Sequence, residues 1–120
     1  MSTRAGIGMT MPDGTVRAIH VHCDGYPKGG TGEFLAEDCS DREQVERLIF
    51  QGDERPVDMG DKETFPEQAN EYFGAEYAYL FEDGRWLVCE LHIGTTPWEW
   101  KELTDVLGQT DSEKDCETNC

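Results

Sequence analysis

Tyr77-Ala78-Tyr79-Leu80-Phe81-Glu82-Asp83-Gly84-Arg85-Trp86-Leu87-Val88-Cys89-Glu90 is the stretch on which the fold turns. Tyr77, Tyr79 and Phe81 alternate with Ala78 and Leu80, the period of a strand that offers a different surface on each side. Asp83-Gly84 then supplies a two-residue turn, because glycine accepts the positive φ that a tight hairpin requires. Trp86 to Ile93 alternates back, so this segment predicts an antiparallel hairpin.

A second hairpin is expected at the amino-terminal end. Thr3 to Met11 reads as a strand with Ala5, Ile7 and Met9 on one face and the small residues Gly6 and Gly8 on the other. Pro12-Asp13-Gly14-Thr15 carries turn chemistry. Val16 to His22 should return antiparallel, with Ile19 and Val21 on one side and Val16, Ala18, His20 and His22 on the other. Asp24-Gly25-Tyr26-Pro27 stops that strand, and a short helical turn is expected over residues 33–37. Ser40 with Glu43 three residues on reads as a capping box for a helix whose Val45, Leu48 and Ile49 share a face, with Gly52 ending it. Residues 53–66 read as a polar connection interrupted by Pro56, Gly60 and Pro66. Thr96-Pro97-Trp98-Glu99 opens a last helix that should bury Trp98, Leu103, Val106 and Leu107.

The expected fold is therefore α+β: two β-hairpins forming an antiparallel sheet of about four strands, with two or three helices on one face. One domain should span residues 1–107, followed by a polar, acidic and disordered tail at 108–120. No run approaches the roughly 18 to 20 apolar residues of a membrane span, and the first residues lack the apolar stretch of a signal peptide, so the expected location is cytoplasmic.

Charge is distributed unevenly. Residues 1–32 hold Arg4, Arg17 and Lys28 against Asp13 and Asp24, while the other 88 residues hold 24 acids and 7 bases, a net charge of −17 in a chain whose total is −16. Such a body repels nucleic acid and anionic membrane, and attracts surfaces built to hold a polyanion. Only four lysines accompany the 26 acids, a balance that salt adaptation or solubility also selects.

Motifs for chemistry are sparse. The chain has no phosphate-binding Gly-x-x-x-x-Gly-Lys and no nucleophile elbow, and carboxylates are too abundant to nominate one acid and base, so enzymatic activity and cofactors are not expected. His20 and His22, two apart on a strand, point to one face. With His92 they would form a three-histidine metal site able to activate water, the competing enzymatic reading. Five cysteines lack the spacing of a secreted disulfide scaffold. Cys23 and Cys89 fall in apolar strands, where buried free thiols are expected, and Cys116 and Cys120 fall in the tail.

His20-Val21-His22-Cys23-Asp24-Gly25-Tyr26-Pro27-Lys28-Gly29, followed by Gly32 and a helix leading to Leu48-Ile49-Phe50-Gln51-Gly52-Asp53, resembles a family of small phage, prophage and mobile-element proteins. Those proteins open with Ser-Thr-Arg and carry a strand that ends in an aromatic residue before Asp-Gly-Tyr-Pro. Ala75-Glu76-Tyr77-Ala78-Tyr79 fits the same outline, and Cys23 stands where the family pattern has tryptophan. The resemblance implies a genomic setting and a phage accessory role; it implies no mechanism.

Size, charge and setting together lead to an expectation of an acidic inhibitor, anti-CRISPR-like, that binds a basic nucleic-acid-handling host complex by DNA mimicry without itself touching nucleic acid. Duplex DNA presents one charge about every 1.7 Å along its axis, so a dense carboxylate face competes for the same lysines and arginines. The expected contacts are Glu37 and Asp38 ahead of the middle helix, Asp41, Glu43 and Glu46 at its start and along it, Asp53, Glu54, Asp58 and Asp61 on the connection, and Glu67 and Glu71 beyond it. Tyr26 or Tyr72 would add an apolar anchor. Asp24-Gly25-Tyr26-Pro27 also has a purely structural reading, in which aspartate caps a turn, glycine takes a conformation closed to other residues, and tyrosine packs.

Overall fold

Both expected hairpins form. β1 (Ala5–Thr10) pairs antiparallel with β2 (Val16–Val21), and β4 (Tyr77–Glu82) pairs antiparallel with β5 (Arg85–Glu90). Gly14 and Gly84 take positive φ in the two turns, as their hairpins demand. The structure, a computed structural model, describes residues 3–52, 55–91 and 99–109.

The sheet departs from expectation in how the hairpins meet. β1 lies beside β4 in parallel register, Ala5 opposite Tyr77 and Met9 opposite Phe81. Two short strands extend the edges: β3 (Val57–Asp58) pairs with β2, and β6 (Lys101–Glu102) pairs with β5. Among the described residues the result is a mixed sheet of six strands in the order β3-β2-β1-β4-β5-β6, rather than an antiparallel sheet of about four. A parallel pair needs a crossover, and the segment between β2 and β4 supplies it.

Helices cover both faces, not one. On one face α1 (Thr31–Asp38), α2 (Arg42–Phe50) and α4 (Leu103–Gln109) bring Leu35, Val45, Ile49 and Leu103 against Ile7, Met9, Ile19, Tyr79, Phe81, Trp86 and Val88. On the other, α3 (Phe65–Gln68) runs on into a π-helical turn at Ala69–Phe73 and packs Phe65 and Ala69 against Val16, Ala18, Ala78, Leu80 and Leu87. Gly6 and Gly8 explain how this helix reaches the central strand. A Cβ on Gly8 would lie 2.7 Å from Val16 Cγ1 and 3.1 Å from the Phe65 ring, and one on Gly6 would lie 3.3 Å from Phe73. Each fully buried Leu, Ile or Phe contributes roughly 1.5–3 kcal/mol, so the second face adds materially to a small domain.

Four local expectations are corrected. The helix at 65–73 falls where a polar connection was expected up to Pro66: that proline sits in the first helical turn, where no backbone N–H is needed, and Asp61 Oδ1 accepts from the Thr64 N–H ahead of it. The capping box of α2 is Asp41 with Gln44, one residue later than Ser40 with Glu43. Asp41 Oδ1 accepts from Gln44 N at 2.9 Å while Gln44 Oε1 accepts from the N–H groups of Ser40 and Asp41. Residues 101–102 are strand and α4 begins at Leu103, because edge pairing to Leu87 and Val88 takes the backbone that a longer helix would use; α4 then continues through Gly108 to Gln109, past the expected boundary at 107. The proposed opening at Thr96-Pro97-Trp98 and the remaining tail, 110–120 with Cys116 and Cys120, lie outside the described residues. Finally, Cys23 is exposed in the bend after β2, whereas Cys39 and Cys89 are buried. Among the described residues no helix is long and apolar enough to cross a membrane.

Candidate functional site

The parallel pairing of β1 with β4 has a direct consequence for charge, since each strand is followed by its own turn. Both turns, 12–15 and 83–84, therefore emerge at one end of the sheet, carrying Asp13, Glu82 and Asp83. The helical layers add to that end. α1 finishes there, with Trp86 Nε1 donating to Cys39 O at 2.8 Å, and α2 starts there, with Arg42 sharing a groove with Pro12, Glu82 and Asp83. From the opposite face Asp61, Lys62 and Glu63 border a second groove with Gly14 and Glu82. The turn end is thus ringed by Asp13, Asp38, Asp41, Asp61, Glu63, Glu82 and Asp83.

Three cations at this end are engaged in ion pairs. Lys62 Nζ lies 2.8 Å from Glu82, Arg42 lies 3.1 Å from Glu46, and Arg85 pairs with Glu102. Hydrogen bonds from the Thr15 hydroxyl and backbone N–H, with Arg17 nearby, hold the Asp13 carboxyl below its ordinary range, so it stays ionised.

The structure brings some of the sequence-predicted residues together and separates others. Asp38, Asp41 and Asp61 share the turn end, and Glu37 is exposed in the last turn of α1 beside them. Asp41 and Asp61 also hold local backbone, as does Asp58, which accepts from Gly60 N. Glu43 and Glu46 form i,i+4 pairs with Arg47 and Arg42, so these two acids of α2 are each matched by a base. Glu67 and Glu71 sit on α3 and its π-helical turn, across the sheet from α1 and α2. Asp53 and Glu54 lie outside the described residues. No single face collects all these acids, because the sheet stands between the two helical layers.

The tyrosine anchors lie at the other end. Gly25 N donates to Thr3 O at 2.9 Å, which pins the Tyr26 loop to the start of β1; Tyr26 is 38% exposed and its hydroxyl meets Asp24 Oδ1 at 3.2 Å. Tyr72, 70% exposed, precedes Phe73, whose ring packs by Gly6 and stacks on His20. β1 spans six residues, roughly 20 Å, so neither tyrosine sits among the turn-end carboxylates. The Asp-Gly-Tyr-Pro loop has a structural explanation with the roles redistributed. Asp24 takes the positive φ of 58°, and Gly25 is required for close approach, since a Cβ there would lie 2.8 Å from Ala5 Cβ.

His20 and His22 do share a face, with ring centroids 4.1 Å apart. His92 lies outside the described residues, and among the described residues no group of three or more His, Cys, Asp or Glu side chains is placed to hold a metal ion. Sequence reasoning passed over Asp13, Glu63, Glu82 and Asp83. Asp13 and Asp83 stand inside the two turn motifs and Glu82 borders one, while Glu63 belongs to the connection, but none of these positions reveals which end of a sheet it occupies until strand order is known. The chain matches no protein-family model, no curated protein and no solved structure.

Proposed function

We propose that this chain is an acidic inhibitor of phage or mobile-element origin, anti-CRISPR-like, acting in the host cytoplasm on a nucleic-acid-handling defence complex by occupying a groove built for DNA. The observation that carries the reading is the turn end: carboxylates from two hairpin turns, two helix termini and the 61–63 loop surround one end of the sheet, with Arg42, Lys62 and Arg85 already paired. Preorganised anions on short turns lose little side-chain freedom on binding, which favours them over the same charges on flexible segments. The expected contacts are accordingly Asp13, Glu37, Asp38, Glu63 and Asp83, with the α2 acids contributing little.

The test is capture of host proteins on the tagged chain at low and high salt, with duplex DNA as competitor. A nucleic-acid-binding complex should be retained, released by salt and displaced by DNA, and the triple variant Glu37→Lys, Asp38→Lys, Glu63→Lys should retain far less of it. Capture that resists both salt and DNA, or that survives the triple reversal, would show that acidity serves solubility and not mimicry.

A further inference from the structure

A cleft of about 270 Å³ opens at the turn end between α1, α4 and the β4–β5 turn. Ala36, Trp86 and Leu103 form its apolar floor and walls, and the exposed Ser40 and Thr104 stand at its rim. Trp86 is 6% exposed and fixed by its bond to Cys39 O, so the wall it contributes is rigid. One ion pair, Arg85 with Glu102, lies at the mouth; its side chains remain 52% and 37% exposed.

We propose that this cleft is a receptor for one arginine side chain of the bound partner. The inference rests on the reading of the turn end as a partner-binding surface, and adds to it the residue type that gives specificity. Three features select the occupant. The net charge of −16 and the surrounding carboxylates disfavour an anion, so the incoming group is a cation. Apolar walls favour a weakly hydrated planar cation on an aliphatic stem over a compact, strongly hydrated ammonium. The Glu102 carboxylate offers an acceptor matched to a guanidinium fork, with the Ser40 and Thr104 hydroxyls as further acceptors. The entering arginine takes the place of Arg85 on Glu102, and Arg85, already half exposed, turns to solvent. An arginine seated in a rigid pocket within a charged rim is the usual form of an interface hot spot.

The experiment titrates the isotope-labelled full chain with hexa-arginine and hexa-lysine peptides at low salt, following backbone amides and the tryptophan indole N–H signals by NMR. Hexa-arginine should shift the Trp86 indole and the Ser40 and Thr104 amides and bind about fivefold or more tightly than hexa-lysine. Thr104→Phe, which fills the cleft without changing charge, and Glu102→Gln should both erase that preference, while Glu90→Gln, exposed at the opposite end of the sheet, should keep it. The triple reversal at Glu37, Asp38 and Glu63 should weaken both peptides alike, so failure of the acidic-end reading registers separately from failure of the cleft. Equal affinity for the two peptides, or an arginine preference that survives Thr104→Phe, overturns the proposal.

Discussion

The hydroxyl of Tyr79 donates a buried 2.6 Å hydrogen bond to the carbonyl of Gly25, 54 residues earlier in the chain. Burial pushes the Tyr79 phenol far up from its ordinary range, so the group stays protonated and remains a donor. One side chain of the central strand β4 therefore ties the Asp-Gly-Tyr-Pro loop to the sheet.

Removing that tie should be felt in global stability. Tyr79→Phe keeps the ring and leaves the Gly25 carbonyl without this partner, at a cost of about 1–3 kcal/mol. Urea denaturation should read the loss, and Cys23, exposed two residues before Gly25, should change its labelling little. Unchanged stability would mean that the bond contributes nothing net.

The helix over the central strand should be sensitive to a single methyl group. Gly8→Ala places a Cβ 2.7 Å from Val16 and 3.1 Å from Phe65, and should cost about 1–3 kcal/mol by overpacking. Gly6→Ala meets Phe73 at 3.3 Å and should cost less. Denaturation midpoints for the two variants check the order, and the reverse order would place Phe65 elsewhere.

Capping register is open to the same kind of test. Asp41→Ala should lose about 0.5–2 kcal/mol, because its carboxylate satisfies the Gln44 N–H at the start of α2. Ser40→Ala should be nearly neutral, since only the backbone of Ser40 takes part in the box. Thermal melts of both variants decide between the two registers.

Thiol chemistry should separate the cysteines. Burial pushes Cys89 up to about 12 and raises Cys39, the latter helped by Asp38 and Asp41, so both should react slowly with alkylating reagents while exposed Cys23 reacts fast. Peptide mass spectrometry after brief labelling reads this directly. For Cys89 the folded value lies above the unfolded value near 9, so its contribution to stability is full below pH 9 and is lost as pH rises through 12. Cys89→Ala should therefore show a shallower loss of stability than the parent chain across that window.

Much of this fold was legible in the residues. The alternation from Tyr77 to Glu90, the Asp-Gly and Pro-Asp-Gly turns, and the face shared by Val45, Leu48 and Ile49 are local patterns, and each matches its element. The helix at 65–73 was not legible because Pro66 reads equally as a breaker and as a first-turn residue, and the edge strands at 57–58 and 101–102 are too short for any periodicity.

By itself the sequence determined the two hairpins, the facing of their side chains and the excess of negative charge, since these follow from neighbours a few residues apart. Only the tertiary structure decided that β1 and β4 run parallel, that a helix lies against Gly6 and Gly8, and that the acids of two distant turns meet at one end while Tyr26 and Tyr72 stay at the other. Strand order is a long-range choice, settled by which packing buries both faces of the sheet at once, and no local pattern of residues encodes it.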